Sequence, residues 1–200
     1  TDQSLVGGRS RCCASQKLYF DEAPRASEAA QLGDVGEGKM RKIAILTLGL
    51  HPRALELVIL RKKPDVCHVI AGEDGLRYVA VEHGYKISNH EVLKNAAKRV
   101  KAKLHIYKCD PFDPESIGDA LGQILENLKP DDRVMINYSG GTQAMSLVLG
   151  SVAIVLSRIM PVQILYSTKT VRGEEKIYDH SEVLKELFHK LYEIVPGIMR

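Results

Sequence analysis

Two glycine signatures that mark common nucleotide-binding loops are missing from this 200-residue sequence: there is no G-x-x-x-x-G-K-[ST] and no G-x-G-x-x-G. Their absence argues against a P-loop nucleotidase and against an ordinary dinucleotide enzyme. Cysteine is also sparse. Of the four, Cys12 and Cys13 are adjacent, and Cys67 and Cys109 sit in short apolar runs. With no C-x-x-C pair and no Cys/His cluster of zinc-like spacing, no metal or other cofactor is expected. Cys67 and Cys109 read as reduced core thiols of a cytoplasmic protein. The longest apolar stretch, Ala144 to Leu156, is shorter than the roughly 20 residues of a membrane span and is interrupted by Ser146, Gly150 and Ser151. It reads as a buried helix, and no membrane partner is expected. Charge of one sign is lacking too: 28 Lys and Arg face 25 Asp and Glu, a net +3. That balance does not describe the basic face of a duplex-DNA binder, but it leaves room for a small anionic ligand.

What is present is ordinary for a globular chain: 44% apolar and 26% charged residues. The length suits one domain. Residues 1–39 differ from the rest, with many Gly, Ser, Ala and charged residues, no sustained periodicity and no apolar signal-peptide core. They are expected to be a leader, an upstream mistranslation or vector-derived sequence outside the fold. Residues 40–200 carry 23 Lys and Arg against 19 Asp and Glu. The domain is expected over residues 40–180, followed by an amphipathic terminal helix over 181–200.

From Met40 the pattern alternates. Short apolar runs at 42–49, 64–72, 103–109, 132–139, 160–167 and 174–180 predict six strands. Between them, "HPRALELVILRKK", "DPESIGDALGQILENLKP" and "TQAMSLVLGSVAIVLS" predict helices. Residues 74–85 read as a short helix closed by Gly84. Ser88 and Asn89, with Glu91 three residues after Ser88, mark the cap of another. Strands alternating with helices over short connections imply an α/β fold: a doubly wound, Rossmann-like, mostly parallel sheet of about six strands with helices on both faces. Such sheets hold ligands beyond the carboxyl ends of their strands, where the strand order reverses.

Attention therefore falls on "TLGLHPRA", after the first strand run, and "NYSGGTQ", after the fourth. Gly140 and Gly141 permit a sharp turn and close approach of backbone to a ligand. Thr142 is placed to cap the following helix, whose unpaired N–H groups and positive dipole end attract an anion. The same residues equally fit a plain strand-to-helix turn with a capping threonine.

"MINYSGGTQAMSLVLGSVAIVLS" resembles the second motif of the CRISPR-associated Rossmann fold (CARF) domains, in which a strand ends in an Asn/Asp–x–[ST]–GGTK-like loop before a small-residue-rich helix. "ILTLGLHPRALE" is similar to their first motif, and the resemblance covers about residues 41–180. It implies a sensor of cyclic oligoadenylates, with cyclic tetra-adenylate the expected ring, in type III CRISPR antiviral defence. It also implies a homodimer with the ring across its two-fold axis, and an effector domain or CRISPR-related partner. On this resemblance Gly140, Gly141 and Thr142 hold phosphate or ribose oxygens, with Asn137 and Ser139 fixing the loop. Thr47, Leu48 and Gly49, with His51, form the opposite wall.

Gln143 departs from the pattern, standing where many relatives have lysine; Lys169 is the candidate replacement cation. An alternative implied role is a metal-independent ring nuclease, with Thr47 and His51 positioning the attacking 2′-hydroxyl and Lys169 stabilising the transition state. A further alternative is a nucleotide-binding Rossmann-like domain of another family. Two matches to the R-x(4–6)-H mark of the family's ribonuclease effectors, Arg77 to His83 and Arg99 to His105, begin in predicted helices of the sensor fold and are discounted.

Overall fold

The structure is a computed structural model. It describes residues 40–82, 85–169 and 174–198, without the side chains of 80–82, 85, 169 and 191–198. The reading of residues 1–39 as a segment apart, and Cys12 and Cys13 within it, lie outside the described residues.

β1 (Lys42–Leu48) is apolar at almost every position because both of its faces are covered. It pairs in parallel with β2 (Val66–Ala71) on one side and β6 (Arg133–Asn137) on the other. β5 (Lys103–Lys108) extends the sheet beyond β2, and β7 (Val162–Lys169) beyond β6, both in parallel. β8 (Glu175–Asp179) closes the far edge antiparallel to β7. The order β5-β2-β1-β6-β7-β8 is doubly wound and mostly parallel, with the reversal between β1 and β6.

Alternate residues of each strand point to opposite faces. Ile43, Ile45, Val134 and Ile136 pack under α4 (Pro114–Leu125) and α5 (Gln143–Leu156). Ala44, Leu46, Leu48 and Val69 pack under α1 (Arg53–Lys62) and α3 (Asn89–Val100). Three helix starts carry side-chain caps. Ser88 and Glu91 form a capping box on α3. Asp113 accepts from Glu115 N and Ser116 N ahead of Pro114 on α4, and Thr142 accepts from Met145 N on α5. On the terminal helix α6 (Ser181–Ile198), Leu184 packs against the core while Val183 and Leu187 stay exposed. Among the described residues no helix is long and apolar enough to cross a membrane.

One sequence expectation is corrected. Residues 74–85 are not a single helix: α2 (Glu73–Arg77) stops after five residues, and β3 (Val79–Glu82) pairs antiparallel with β4 (Tyr85–Ser88). Val79-Ala80-Val81 favours extended backbone, and only two residues, His83 and Gly84, separate the paired strands, the spacing of a tight hairpin. The helical spacing seen in that stretch was too short to compete.

Candidate ligand-binding site

A cavity of about 970 Å³ lies at the carboxyl ends of the parallel strands, where the order reverses. That is near the upper end for pockets enclosing one small ligand. Its floor is made by loops stitched to one another. Gly49 N donates to Gly140 O at 2.6 Å, joining the β1–α1 and β6–α5 loops. The Thr142 hydroxyl donates to Pro111 O, tying in the β5–α4 loop. Asn89 Nδ2 donates to Leu50 O at 3.0 Å and to Gly75 O at 2.8 Å, anchoring the β1–α1 loop to α2.

The β6–α5 loop is held from below by polar side chains. Asn137 is buried; its Oδ1 accepts from Ser139 N and Ser139 Oγ, and its Nδ2 donates to Ser167 Oγ at 2.7 Å on β7. Ser139 Oγ in turn accepts from Ser167 N at 3.0 Å. Ser146 Oγ, one turn into α5, donates to Tyr138 O. Asn137 and Ser139 thus tie the β6–α5 loop to β7.

The glycines are required by packing. A Cβ on Gly140 would lie 2.2 Å from both Leu55 Cδ1 and Thr47 O. One on Gly141 would lie 2.7 Å from Met145 Sδ and 2.9 Å from Thr47 Cβ. The missing side chains would therefore point inward, toward Leu55, Thr47 and Met145. Both residues line the cavity. Among the described residues neither N–H has a protein acceptor.

The cavity brings together Leu48, Gly49, His51, Ser139, Gly140, Gly141 and Thr142 of the residues picked from sequence. Thr47 is fully buried beneath the glycines, and its Oγ1 has no hydrogen-bond partner. Asn137 lies below the loop, and Gln143 is exposed at the first position of α5; neither is part of the lining. The Lys169 side chain lies outside the described residues. Of the groups read as catalytic whose side chains are described, Thr47 and His51, His51 lines the cavity, edge-on to Tyr78 with ring centres 6.2 Å apart.

Sequence reasoning missed Arg53, Asp74, Phe112, Thr168 and Glu175, which also line the cavity. Arg53 had a signal, since it lies within the first motif and opens the first turn of α1. Phe112 is 77% exposed on the β5–α4 loop, held by its N–H on Asp110 Oδ1. That loop carried no motif of its own. Among the described lining residues Arg53 contributes one positive charge, and Asp74 and Glu175 two negative ones. Arg53 Nε donates to Glu175 Oε1 at 2.8 Å and its NH1 to Glu56 Oε2 at 3.4 Å.

Thiol chemistry is not offered here. Burial pushes the Cys67 thiol up to about 12, and burial with Asp110 nearby pushes Cys109 up to about 11. Both are unpaired, and the described residues contain no cluster of three or more His, Cys, Asp or Glu able to hold a metal.

No family model matches the chain, and no curated protein matches it in sequence. Solved structures do match. Csm6 of Enterococcus italicus, bound to cyclic hexa-2′-fluoro-hexa-dAMP, aligns at 17% identity and a TM-score of 0.50, over 77% of this chain and 40% of its own. Can2 of Sulfobacillus thermosulfidooxidans, in complex with cyclic tetra-adenylate, aligns at 14% identity and a TM-score of 0.48, over 68% of this chain and 36% of its own. Protein VC1899 of Vibrio cholerae aligns at 17% and 0.45, over 62% and 30%. The chain thus spans well under half the length of each. The sheet order and the Csm6 alignment define a Rossmann-like α/β fold. More narrowly, the fold is CARF-like, as the two motifs imply.

Proposed function

We propose that this protein is a sensor domain that binds a cyclic oligoadenylate in type III CRISPR antiviral defence. The observation that carries the reading is the pair Gly140 and Gly141 at the switch point. Their N–H groups have no protein acceptor among the described residues, and they lead directly into the 14-residue helix α5. Backbone donors at a helix N-terminus suit phosphate without any lysine, which removes the difficulty raised by Gln143. The shared fold with Csm6, whose structure holds a cyclic hexanucleotide, supports a ring as the ligand. Exposed Phe112 and His51 at the rim provide flat faces on which adenine can stack.

A symmetric ring suits an isologous dimer, each copy giving the same half-site. α5 has no charged side chain and exposes Leu147 and Val155 at 70% and 65%, unusual for a helix so apolar all round. Two copies paired along parallel α5 helices would bring both Gly140–Gly141 loops to one end, which supports a second copy on this face. Thermal unfolding with cyclic tetra-adenylate, cyclic hexa-adenylate and linear tetra-adenylate at equal concentration tests the reading. One ring should raise the melting temperature more than the linear strand does. Equal shifts from ring and linear strand would reduce the site to a general nucleotide pocket.

A further inference from the structure

The described lining is anionic on balance, yet the ligand read into it is a polyanion. Its guanidinium, Arg53, is engaged by a carboxylate of the same lining: Glu175 Oε1 lies 2.8 Å from Arg53 Nε. The pair joins the first turn of α1 to the first residue of β8, the edge strand whose sheet neighbour is β7. It is also open to solvent, with side-chain exposures of 52% for Arg53 and 28% for Glu175. A pair so exposed contributes little to the fold and is easily exchanged.

We propose that Arg53 is the phosphate-binding cation of this site, and that ligand binding exchanges its Glu175 carboxylate for a ring phosphate. The proposal deepens the sensor reading and rests on it. A guanidinium can take phosphate in a two-pronged contact, which gives a better-defined geometry than a lysine point charge. Its position at the N-terminal turn of α1 adds that helix's positive end to that of α5 on the other side of the Gly49–Gly140 bond. Glu175 then serves as an internal competitor: beside Glu56 at 3.4 Å, it is the shorter carboxylate contact of Arg53 in the empty site and sets a threshold that the ligand must exceed. Once displaced, it leaves the start of β8 without its tie to α1. β8 runs through His180 into α6, with His180 N donating to Ile164 O, so the exchange reaches the terminal helix over one strand.

The two partners of the pair give opposite signs, and this makes the test sharp. Titrations of cyclic tetra-adenylate and cyclic hexa-adenylate into the full chain would compare wild type with Arg53→Gln and Glu175→Gln. Arg53→Gln should weaken binding about tenfold or more, the loss expected for a charged hydrogen bond. It should also flatten the salt dependence of binding. Glu175→Gln should tighten binding about two- to fivefold, because the competing carboxylate is gone. Circular dichroism melts within a few degrees of wild type establish that each variant folds. If both substitutions weaken binding alike, the pair is only a structural brace and the proposal is wrong. If wild type binds a ring and Arg53→Gln binds it equally well, the sensor reading stands and this assignment alone falls. If wild type binds neither ring, the reading fails and the assignment goes with it.

Discussion

Gly49 N–H donates to Gly140 O at 2.6 Å, and this single bond joins the loops that follow the two strands at which the sheet order reverses. The approach is so close that a Cβ on Gly49 would lie 2.9 Å from the same oxygen. The floor of the site is therefore backbone on backbone. Its shape depends on the absence of side chains at several glycines rather than on the presence of any one group.

Gly140→Ala places a methyl group 2.2 Å from both Leu55 Cδ1 and Thr47 O, a clash that involves backbone and cannot relax cheaply. Unfolding in urea should show a loss of about 2 kcal/mol or more, within the range for overpacked positions. Gly150→Ala, in the middle of α5 with nothing within 4 Å, is the control. It should stabilise by about 0.5–1 kcal/mol, the helical preference of alanine over glycine.

Asn137 uses both ends of its amide, accepting from Ser139 and donating to Ser167 in a buried position. Asn137→Asp keeps the acceptor and loses the donor while burying a charge. The expected loss is about 2–3 kcal/mol in the same urea experiment. Ring binding should weaken with it, because the loop would lose its tie to β7. A variant as stable as wild type would mean that the network does not hold the loop.

Mild acid should destabilise the fold through a buried histidine. Burial lowers His68 from 6.5 to about 4, with further depression from His105 and Arg41. His68 Nδ1 lies 3.0 Å from Tyr107 Oη and its ring stacks on His105. Its folded value lies below its unfolded one, so between pH 6.5 and 4 the unfolded chain binds more protons. Stability contributed by neutral His68 is complete above about pH 6.5 and is lost as pH falls toward 4, amounting to roughly 2–3 kcal/mol. Asp132 is opposed by its own burial, but Arg41 and the Lys129 N–H outweigh this and hold it below its usual value. Its share is therefore lost only at lower pH. Urea midpoints at pH 7 and pH 4.5 should show the drop in wild type and little of it in His68→Gln.

The six-strand sheet was legible in the sequence because strands buried on both faces are continuously apolar, as in "KIAILTL", and the starts of α3 and α5 carried their own caps. The β3–β4 hairpin was not, because four-residue strands leave too short a pattern to outweigh an adjacent helical one. The site divided in the same way. Backbone features such as the Gly140–Gly141 turn and the Asn137 anchor follow from local sequence. Side chains that reach the cavity from distant elements, such as Phe112 on the β5–α4 loop and Glu175 on β8, had no local mark. Thr47 shows the converse. It sits in the right motif, yet strand alternation points it into the core beneath the glycines rather than at the ligand.

The described cavity offers positioning and backbone donors, but the Ser139 and Thr142 hydroxyls are engaged within the fold and Thr47 is sealed off. A ring incubated with excess protein for hours should therefore be recovered intact by chromatography. Linear products from wild type that disappear in His51→Ala would instead establish cleavage.

The central claim is that two copies share one cyclic oligoadenylate at the joined loops. Calorimetric titration of the full chain with cyclic tetra-adenylate and cyclic hexa-adenylate, run beside sedimentation, measures it most directly. The account predicts saturation at one ring per two chains by one of the two ligands, with a dimer in solution. Absence of binding by both rings, or saturation at one ring per chain with only monomer present, would contradict it.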